Sequence, residues 1–302
     1  MDGFHEADNL VGAFELQIRR IGGDNQAAFG LDDLEVLQAD FVHPRFELSP
    51  VSPTMHYPIA IKYFFDQSEL DAFKERADYY LPAKALTFCQ AELGARMEGL
   101  TVLVGKEQLG CGNAKCVFGW KEIDAAEIKG HLKYVRDLEQ AERFVRSKPR
   151  LKKELLAVAV SPLAATMFDP DIVHFYCDNM QAYHLVVDWM AAMDRHPLNP
   201  NMTINSAACG GNVHAFNTGE ANVFLACSGS YNAGKTERGE INVAIPGADI
   251  GKVVARLMER KAQTGGASLT RSGQPFPGAD ICKNCPLIVF KKGKDEAEAP
   301  CA

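Results

Sequence analysis

Two segments of the sequence carry cysteines at spacings that suit soft metal ions. CGNAKC places Cys111 and Cys116 at a C-x4-C spacing, and CGGNVH places Cys209 and His214 at a C-x4-H spacing. Thiolate and imidazole groups are ligands for zinc and for iron–sulfur clusters. Brought face to face, the two segments would present three thiolates and one imidazole, which indicates a metal site.

The two segments also occupy similar places in the sequence. An offset of 98 residues lays Cys111 and Gly112 over Cys209 and Gly210, each pair after a strand-like run. Glycine beside a ligand lets the backbone approach and donate N–H groups to sulfur, so Gly112 and Gly210 are candidate cofactor-binding residues. The alternative is that both cysteines are small residues in tight turns and that His214 forms a local hydrogen bond.

A third cysteine motif, CKNCP, lies near the C-terminus and contains Cys282 and Cys285. A C-x-x-C pair followed by proline is typical of iron–sulfur ligand runs and of redox-active pairs. One pair supplies only two ligands, so further ligands must come from elsewhere in the chain. The alternatives are a zinc knuckle or two unligated thiols.

The remaining candidates are less specific. Cys89 lies on the apolar face of a predicted helix, which favours core packing, and Cys177 ends an apolar strand. Glu240 precedes a strand and is either a buried acid or a solvated hairpin residue.

The segment GSYNAGKT, residues 229–236, matches a phosphate-binding loop, but its surroundings do not. Ile241, Val243 and Ile245 alternate as in a strand, and Pro246 ends the run. Two strands joined by this loop predict a hairpin, which offers no helix N-terminus for a phosphate. The sequence therefore argues against a nucleotide site here.

Composition narrows the class of protein. The 302 residues carry a formal charge of −7, which argues against nucleic-acid and anionic-membrane partners. Apolar runs are too short to span a bilayer, and the first residues do not resemble a secretion signal. Nine cysteines, an odd number, favour reduced thiols over a disulfide framework, so we expect a cytoplasmic protein.

The order of predicted elements gives the fold expectation. We predict an α/β to α+β fold, a mixed β-sheet with helices, in a main domain at residues 55–262. Two pseudo-repeated β-α-β halves, about 55–145 and 155–262, would place the site between them. A helical lead-in (1–54) precedes this domain, and a Gly/Pro-rich loop, the CxxC segment and a flexible tail (263–302) follow it.

Several segments resemble one known family. PIAIKYF, FCQAELGARMEGLTVLVGKEQLGCGNA, SAACGG and CSGSYNAGKTERGEINVAIP are similar, in this order, to segments of domain-of-unknown-function family 169, an archaeal conserved-region family. The resemblance implies functional positions at Cys89, Cys111, Cys209, Cys227 and Glu240. It thereby makes Cys89 and Cys227 candidate metal ligands.

The resemblance implies no established reaction, and Cys116, His214 and CKNCP lie outside its pattern. The family is typical of anaerobic organisms, which would suit an oxygen-sensitive cluster. We therefore expect an iron–sulfur protein of anaerobic redox metabolism, with a [4Fe–4S] cluster and with electron transfer or small-ligand chemistry at that cluster. Its partner would be a redox protein or a small-molecule ligand, and a homo-oligomer is compatible with the sequence.

Two other classes stay open. One is a non-catalytic protein that binds a small molecule or cofactor, with structural zinc or no metal. The other is a thiol-dependent enzyme, for which no base lies next to a cysteine in the sequence.

Overall fold

One six-stranded sheet organises the structure. A computed structural model describes residues 58–132, 134–202, 206–236 and 239–264. The strands are β1 (Ile59–Phe64), β2 (Val102–Gly105), β3 (Ala157–Pro162), β4 (Ile172–Cys177), β5 (Asn222–Leu225) and β6 (Ile241–Pro246). They lie in the order β2-β3-β1-β4-β6-β5.

Nine α-helices accompany the sheet in the described residues. They are α1 (Gln67–Arg76), α2 (Phe88–Glu98), α3 (Gly112–Val117), α4 (Ala125–His131), α5 (Leu138–Ser147), α6 (Asn179–Met193), α7 (Ala207–Thr218), α8 (Ser228–Asn232) and α9 (Ile250–Thr264). Among these helices none is long and apolar enough to cross a bilayer.

Every pairing between the six strands is antiparallel. The predicted fold class, α/β to α+β with a mixed sheet, is confirmed as α+β. The prediction also allowed parallel strand pairs, whereas the pairs between these six strands are all antiparallel. β5 and β6 pair as the hairpin predicted around GSYNAGKT, so the segment after Lys235 leads into a strand. The predicted hairpin is therefore confirmed, although its connection also contains the short helix α8.

The predicted halves, with Cys111 equivalent to Cys209, are not confirmed. The strand registers instead relate β1, β2 and β3 to β4, β5 and β6. Ile59 of β1 pairs with Pro162 of β3, as Ile172 of β4 pairs with Pro246 of β6. Val102 of β2 pairs with Val160 of β3, as Asn222 of β5 pairs with Ala244 of β6. The central pairing of β1 with β4 is symmetric about Ala60 and Val173. We call residues 59–162 the N-terminal unit and residues 172–246 the C-terminal unit.

Helices cover both faces of the sheet. α2, α3 and α7 pack on one face, against inward side chains that include Ile59, Ile61 and Tyr63. On the other face, α1 packs against the N-terminal unit and α6 and α9 pack against the C-terminal unit. Because β-strand side chains alternate between faces, the single strand β1 contributes to both cores.

The helices α2 and α7 each begin after a hydroxyl residue and end at a glycine. Thr87 is the N-cap of α2 and forms a capping box with Gln90, and Ser206 is the N-cap of α7. Gly99 and Gly219 end the two helices in the left-handed conformation that glycine adopts without strain. The predicted strand and Cys-Gly turn around Cys209 are thus wrong, because this segment is the first turn of α7.

Some predicted features lie outside the described residues. They are the helical lead-in at 1–54, the CxxC pair Cys282 and Cys285, and the tail apart from residues 263–264.

Candidate functional site

Four cysteines lie at the starts of four helices on the same face of the sheet. Cys89 is the second residue of α2 and Cys209 the third residue of α7. Cys111 and Cys227 are the N-cap residues of α3 and α8. All four belong to, or pack against, one hydrophobic core, and we call them the four-thiol site.

The strand registers make these cysteines equivalent in pairs. An offset of 120 residues lays α2 and β2 over α7 and β5, and Cys89 over Cys209. Cys111 and Cys227 are equivalent because each caps the short helix that follows the edge strand of its unit. Each unit therefore contributes two thiols from matching positions.

Cys89 and Cys227 form a hydrogen-bonded pair across the two units. The bond from the Cys89 thiol lowers the pKa of Cys227, and the Ser230 N–H adds to this by donating to the Cys227 Sγ at 3.3 Å. The same bond, together with burial, raises the pKa of Cys89. The two thiols therefore act directly on each other across the boundary between the two units.

Cys209 and Cys111 form the corresponding pair but are less closely joined. Cys209 is 6% exposed. Burial raises the pKa of Cys209 well above its ordinary value, and the neighbouring Cys111 and Cys227 raise it further. Charge on Cys209 also acts on Cys89, so Cys209 lies within electrostatic range of the other three sulfur atoms.

Two lysines contact the N-caps of α2 and α7, again in matching positions. Lys148 Nζ donates to Ser206 Oγ at 2.6 Å, and Lys235 Nζ donates to Thr87 Oγ1 at 2.9 Å. Each lysine belongs to one unit and reaches the other unit. Burial lowers the pKa of Lys148 to about 8, although charges on Cys209, Cys116, Cys111 and Cys227 oppose this shift.

Cations beside these helices favour negative charge at the site. Helix N-termini carry unpaired N–H groups and a positive potential. α2 and α7 bring their first turns, with a lysine each, to the four thiols. The surroundings therefore suit thiolates or another anionic group.

A buried polar network lies next to the thiols. Glu92, one helical turn after Cys89, accepts from Tyr176 OH at 2.8 Å and from Asn212 Nδ2 at 3.0 Å. Its Oε1 also lies 2.7 Å from His174 Nδ1, whose ring continues through Nε2 to Asn242 Oδ1 at 3.0 Å. Asn212 is the counterpart of Glu92 in the C-terminal unit, so the network follows the same symmetry.

Two polar atoms beside the thiols find no hydrogen-bond partner among the described residues. They are Tyr63 OH and Asn212 Oδ1, whose residues are 1% and 0% exposed. Burial raises the pKa of Tyr63 most, and the charges on Asp171, Glu92 and, last, Cys209 raise it further. Buried polar groups normally have partners, so these atoms indicate a place for a polar guest.

Other predicted site residues lie apart from the four-thiol site. Cys116 is buried further along α3, where burial raises its pKa. His214 follows Cys209 on α7, and burial lowers its pKa against the nearby charge of Glu220. No contact described by the structure joins His214 to the thiols.

The two candidate glycines are close to the thiols in sequence, but only one has close neighbours. A Cβ on Gly112 would meet nothing within 4 Å, whereas one on Gly210 would lie 3.0 Å from Ser206 Cβ.

Glu240 is buried in an ion pair. Its Oε1 accepts from Arg96 Nη2 at 2.6 Å, and its Oε2 accepts from Thr236 Oγ1 at 2.7 Å. The Arg96 guanidinium also lies over the Tyr176 ring, 4.1 Å from its centroid. Through Tyr176, this pair borders the Glu92 network.

Within the described residues, no three His, Cys, Asp or Glu side chains are arranged to hold a metal ion. The thiols are close to one another but do not close around one point.

Comparison with known proteins gives a family. The family model of DUF169, described as uncharacterised ArCR, matches residues 53–256. The chain belongs to the DUF169 family. No curated protein and no solved structure matches it. All four cysteines of the four-thiol site lie inside the matched region of this DUF169 protein.

Cysteine spacing did not single out Glu92, Lys148, Asn212 or Lys235 as neighbours of the thiols. An offset of 120 residues, in place of 98, would have aligned the glycine C-caps and the edge strands of this DUF169 chain. That alignment also pairs Glu92 with Asn212. The lysines have no comparable signal, because they come from segments of different length in the two units.

Proposed function

We propose that this DUF169 protein holds an iron–sulfur cluster on Cys89, Cys111, Cys209 and Cys227 and acts in cytoplasmic redox metabolism of anaerobic type. The cluster would serve electron transfer or small-ligand chemistry, with a redox protein or a small molecule as the partner. Four cysteine thiolates are the usual ligand set of [4Fe–4S] and [2Fe–2S] clusters.

One observation carries the proposal. Four cysteines that span 138 residues of sequence, from Cys89 to Cys227, lie at matching helix starts of the two units, in or against one core. Core packing alone gives no reason for two matching pairs of thiols. Two helix N-termini and two lysines beside them support an anionic group such as a thiolate-bound cluster.

The arrangement of the thiols bears on the type of metal centre. In a [4Fe–4S] cluster each iron binds one thiolate, whereas in a [2Fe–2S] or zinc centre two or more thiolates share one metal. The contact between Cys89 and Cys227 suits two ligands on one iron. Iron and sulfide content distinguish these centres.

A second candidate function is supported by the unpartnered polar atoms. Tyr63 OH and Asn212 Oδ1 would bind a small polar molecule between the units, with zinc or no metal at the thiols. Such a protein would be a non-catalytic binding protein.

The test is purification of the full-length chain without oxygen, followed by its visible spectrum and its iron, sulfide and zinc content. The cluster proposal expects a brown protein with a broad band at about 400 nm and four or two irons per chain. Each of the variants Cys111→Ser and Cys209→Ser should lose most of that band, because each removes a ligand.

Cys177→Ser is the matched control. Cys177 is buried, as Cys209 is, but it ends β4 and belongs to the core on the other face of the sheet, so this variant should keep the band. A colourless wild-type protein after anaerobic iron and sulfide reconstitution would refute the cluster. Zinc in that protein, or binding of a small polar molecule, would favour the second candidate.

A further inference from the structure

Tyr63 and Tyr176 occupy matching positions in the two units. Ile59 opens β1 and Ile172 opens β4, so an offset of 113 residues lays Tyr63 over Tyr176. Both side chains lie on the face of the sheet that carries α2 and α7. Each tyrosine contacts the helix of the other unit, Tyr176 on α2 and Tyr63 on α7. The two tyrosines are therefore symmetry counterparts.

The ring contacts of the two tyrosines follow the same symmetry. Arg96 of α2 lies over the Tyr176 ring, 4.1 Å from its centroid. Phe216 of α7 is the counterpart of Arg96 at the offset of 120 residues, and its ring centroid lies 5.0 Å from that of Tyr63. Each tyrosine ring therefore packs against the same position of the opposite helix.

The hydroxyl groups of the two tyrosines differ. Tyr176 OH donates to Glu92 Oε2 at 2.8 Å, and the symmetry predicts a matching bond from Tyr63 OH to Asn212, the counterpart of Glu92. Among the described residues, however, Tyr63 OH and Asn212 Oδ1 each lack a hydrogen-bond partner, although their residues are only 1% and 0% exposed. The two atoms therefore border a gap where the other unit has a hydrogen bond.

The hydrogen bonds around this gap define which guest fits it. Asn212 Nδ2 donates to Glu92 Oε1 at 3.0 Å, which leaves Asn212 Oδ1 as an acceptor. Turning the amide would set its oxygen against the carboxylate of Glu92. A guest must therefore donate an N–H or O–H to Asn212, whereas the Tyr63 hydroxyl can donate or accept.

The charge beside the gap favours a positive guest. Glu92 is completely buried, and no Lys or Arg forms an ion pair with it among the described residues. The Arg96 guanidinium, which borders the same network, is paired with Glu240. A buried carboxylate without such a partner favours a cation beside it and disfavours carboxylate or phosphate guests. Because the gap takes the place of one hydrogen bond, the guest must also be compact.

We propose that Tyr63 OH and Asn212 Oδ1 bind a compact protonated amine, either ammonium or a small primary amine, in this gap. The amine donates N–H groups to both oxygen atoms, and the buried carboxylate of Glu92 favours its charge. The inference rests on the second candidate function, the binding of a small polar molecule, and gives that molecule a chemical class. The gap lies one helical turn after Cys209, next to the four-thiol site.

The test measures urea unfolding midpoints of the full-length protein, purified without oxygen, at neutral pH. Ammonium chloride and methylammonium chloride are the probes. Tetramethylammonium chloride at the same concentration is the control, because this cation has no N–H group. A ligand that binds only the folded protein stabilises it increasingly as its concentration exceeds Kd. We expect ammonium or methylammonium to raise the midpoint progressively above that in the control salt.

Tyr63→Phe separates binding from stability. Because Tyr63 OH has no hydrogen-bond partner among the described residues, its removal should leave the midpoint in the control salt unchanged. The Kd of the probe should rise by about tenfold or more, because one of its two acceptors is lost. Tyr176→Phe is the matched variant and should lower the midpoint in every salt, because it breaks the bond to Glu92.

Three results would overturn the amine site. The first is a wild-type midpoint that neither probe raises above its value in the control salt. The second is a full response to the probes in Tyr63→Phe, and the third is equal destabilisation by Tyr63→Phe and Tyr176→Phe. Stabilisation by neutral formamide that depends on Tyr63, with neither amine active, would reject the amine class and leave the second candidate function in place.

Discussion

At the scale of single residues, the structure separates cysteines that the sequence treated alike. Cys111 and Cys116 appeared as one motif, yet Cys111 caps α3 toward the other thiols, and Cys116 lies buried further along the helix. Cys89, which helical spacing assigned to core packing, is in contact with Cys227. The resemblance to DUF169 made Cys89 a candidate metal ligand, whereas its spacing alone did not.

Glu240 illustrates the same point for a charged residue. Spacing left it as a buried acid or a solvated hairpin residue, and the structure places it in a buried ion pair with Arg96. Removal of one partner from a buried pair leaves the other charge desolvated and unpaired.

We predict that Arg96→Met lowers the free energy of unfolding by about 3–5 kcal/mol, because the buried Glu240 carboxylate loses the guanidinium of its ion pair. Urea denaturation followed by circular dichroism measures this change. The double variant Arg96→Met with Glu240→Gln should recover part of the loss, because no charge then stays behind.

A matched control for this ion pair is Arg143→Met, which removes an exposed pair between Arg143 and Glu139 on α5. Its effect should be within about 1 kcal/mol, as for other surface pairs. Equal unfolding midpoints for Arg96→Met and Arg143→Met would contradict the assignment of a stabilising role to the Arg96–Glu240 pair.

At the scale of elements, the close packing of α7 on the sheet positions Cys209. Gly211 lies two residues after Cys209, and a Cβ at this position would lie 2.4 Å from Cε1 of Phe224 in β5. The absent side chain lets α7 approach the sheet closely. Glycine here serves close packing, whereas Gly210 was the residue that the sequence suggested for the site.

We predict that Gly211→Ala destabilises the protein by about 1–3 kcal/mol, because the Phe224 ring must move or α7 must lift from the sheet. Thermal and urea unfolding measure the loss. If α7 lifts, the metal content of anaerobically prepared protein should also fall.

Gly112→Ala is the control at a glycine with open space around its Cβ position. Alanine favours helix over glycine, so stability should stay the same or rise by up to about 1 kcal/mol. The packing explanation fails if Gly211→Ala is as stable as Gly112→Ala.

At the scale of the whole molecule, the symmetry of the two units explains where the site lies. The units meet at β1 and β4, and the helices α2 and α7 bring matching cysteines together above this junction. Lys148 and Lys235 cross from one unit to the other at matching N-caps. The site is therefore a product of the association of the units.

Lys148 should make stability depend on pH in a defined direction. Its pKa in the folded protein is about 8, below the ordinary value of 10.5, mainly because of burial. Between these values the unfolded chain binds more protons at this residue than the folded chain. The contribution of Lys148 to stability therefore rises as pH increases from about 8 to 10.5, by at most about 1.4 kcal/mol per pH unit.

The measurement compares urea unfolding of reduced, metal-free wild type and Lys148→Met between pH 7 and 10. The difference between the two proteins isolates Lys148 from the cysteines and tyrosines that also titrate in this range. We expect the stability of the wild type relative to Lys148→Met to increase with pH. A constant difference would show that Lys148 is not desolvated.

Local patterns in the sequence determined the elements of this protein. Period-two alternation predicted β6 and, with Pro246, argued against the phosphate-binding loop, because these signals depend only on neighbouring residues. Quoted motifs from residues 58–246 were also enough to suggest the DUF169 family, which the family model confirms.

Tertiary structure alone decided which residues meet. The contact between Cys89 and Cys227, the lysines at Thr87 and Ser206, and the buried carboxylate of Glu92 all join residues far apart in the chain. Such contacts depend on the order of strands in the sheet and on their registers. Spacing within a short segment carries no information about either, and so it aligned Cys111 with Cys209, whereas the fold aligns Cys89 with Cys209.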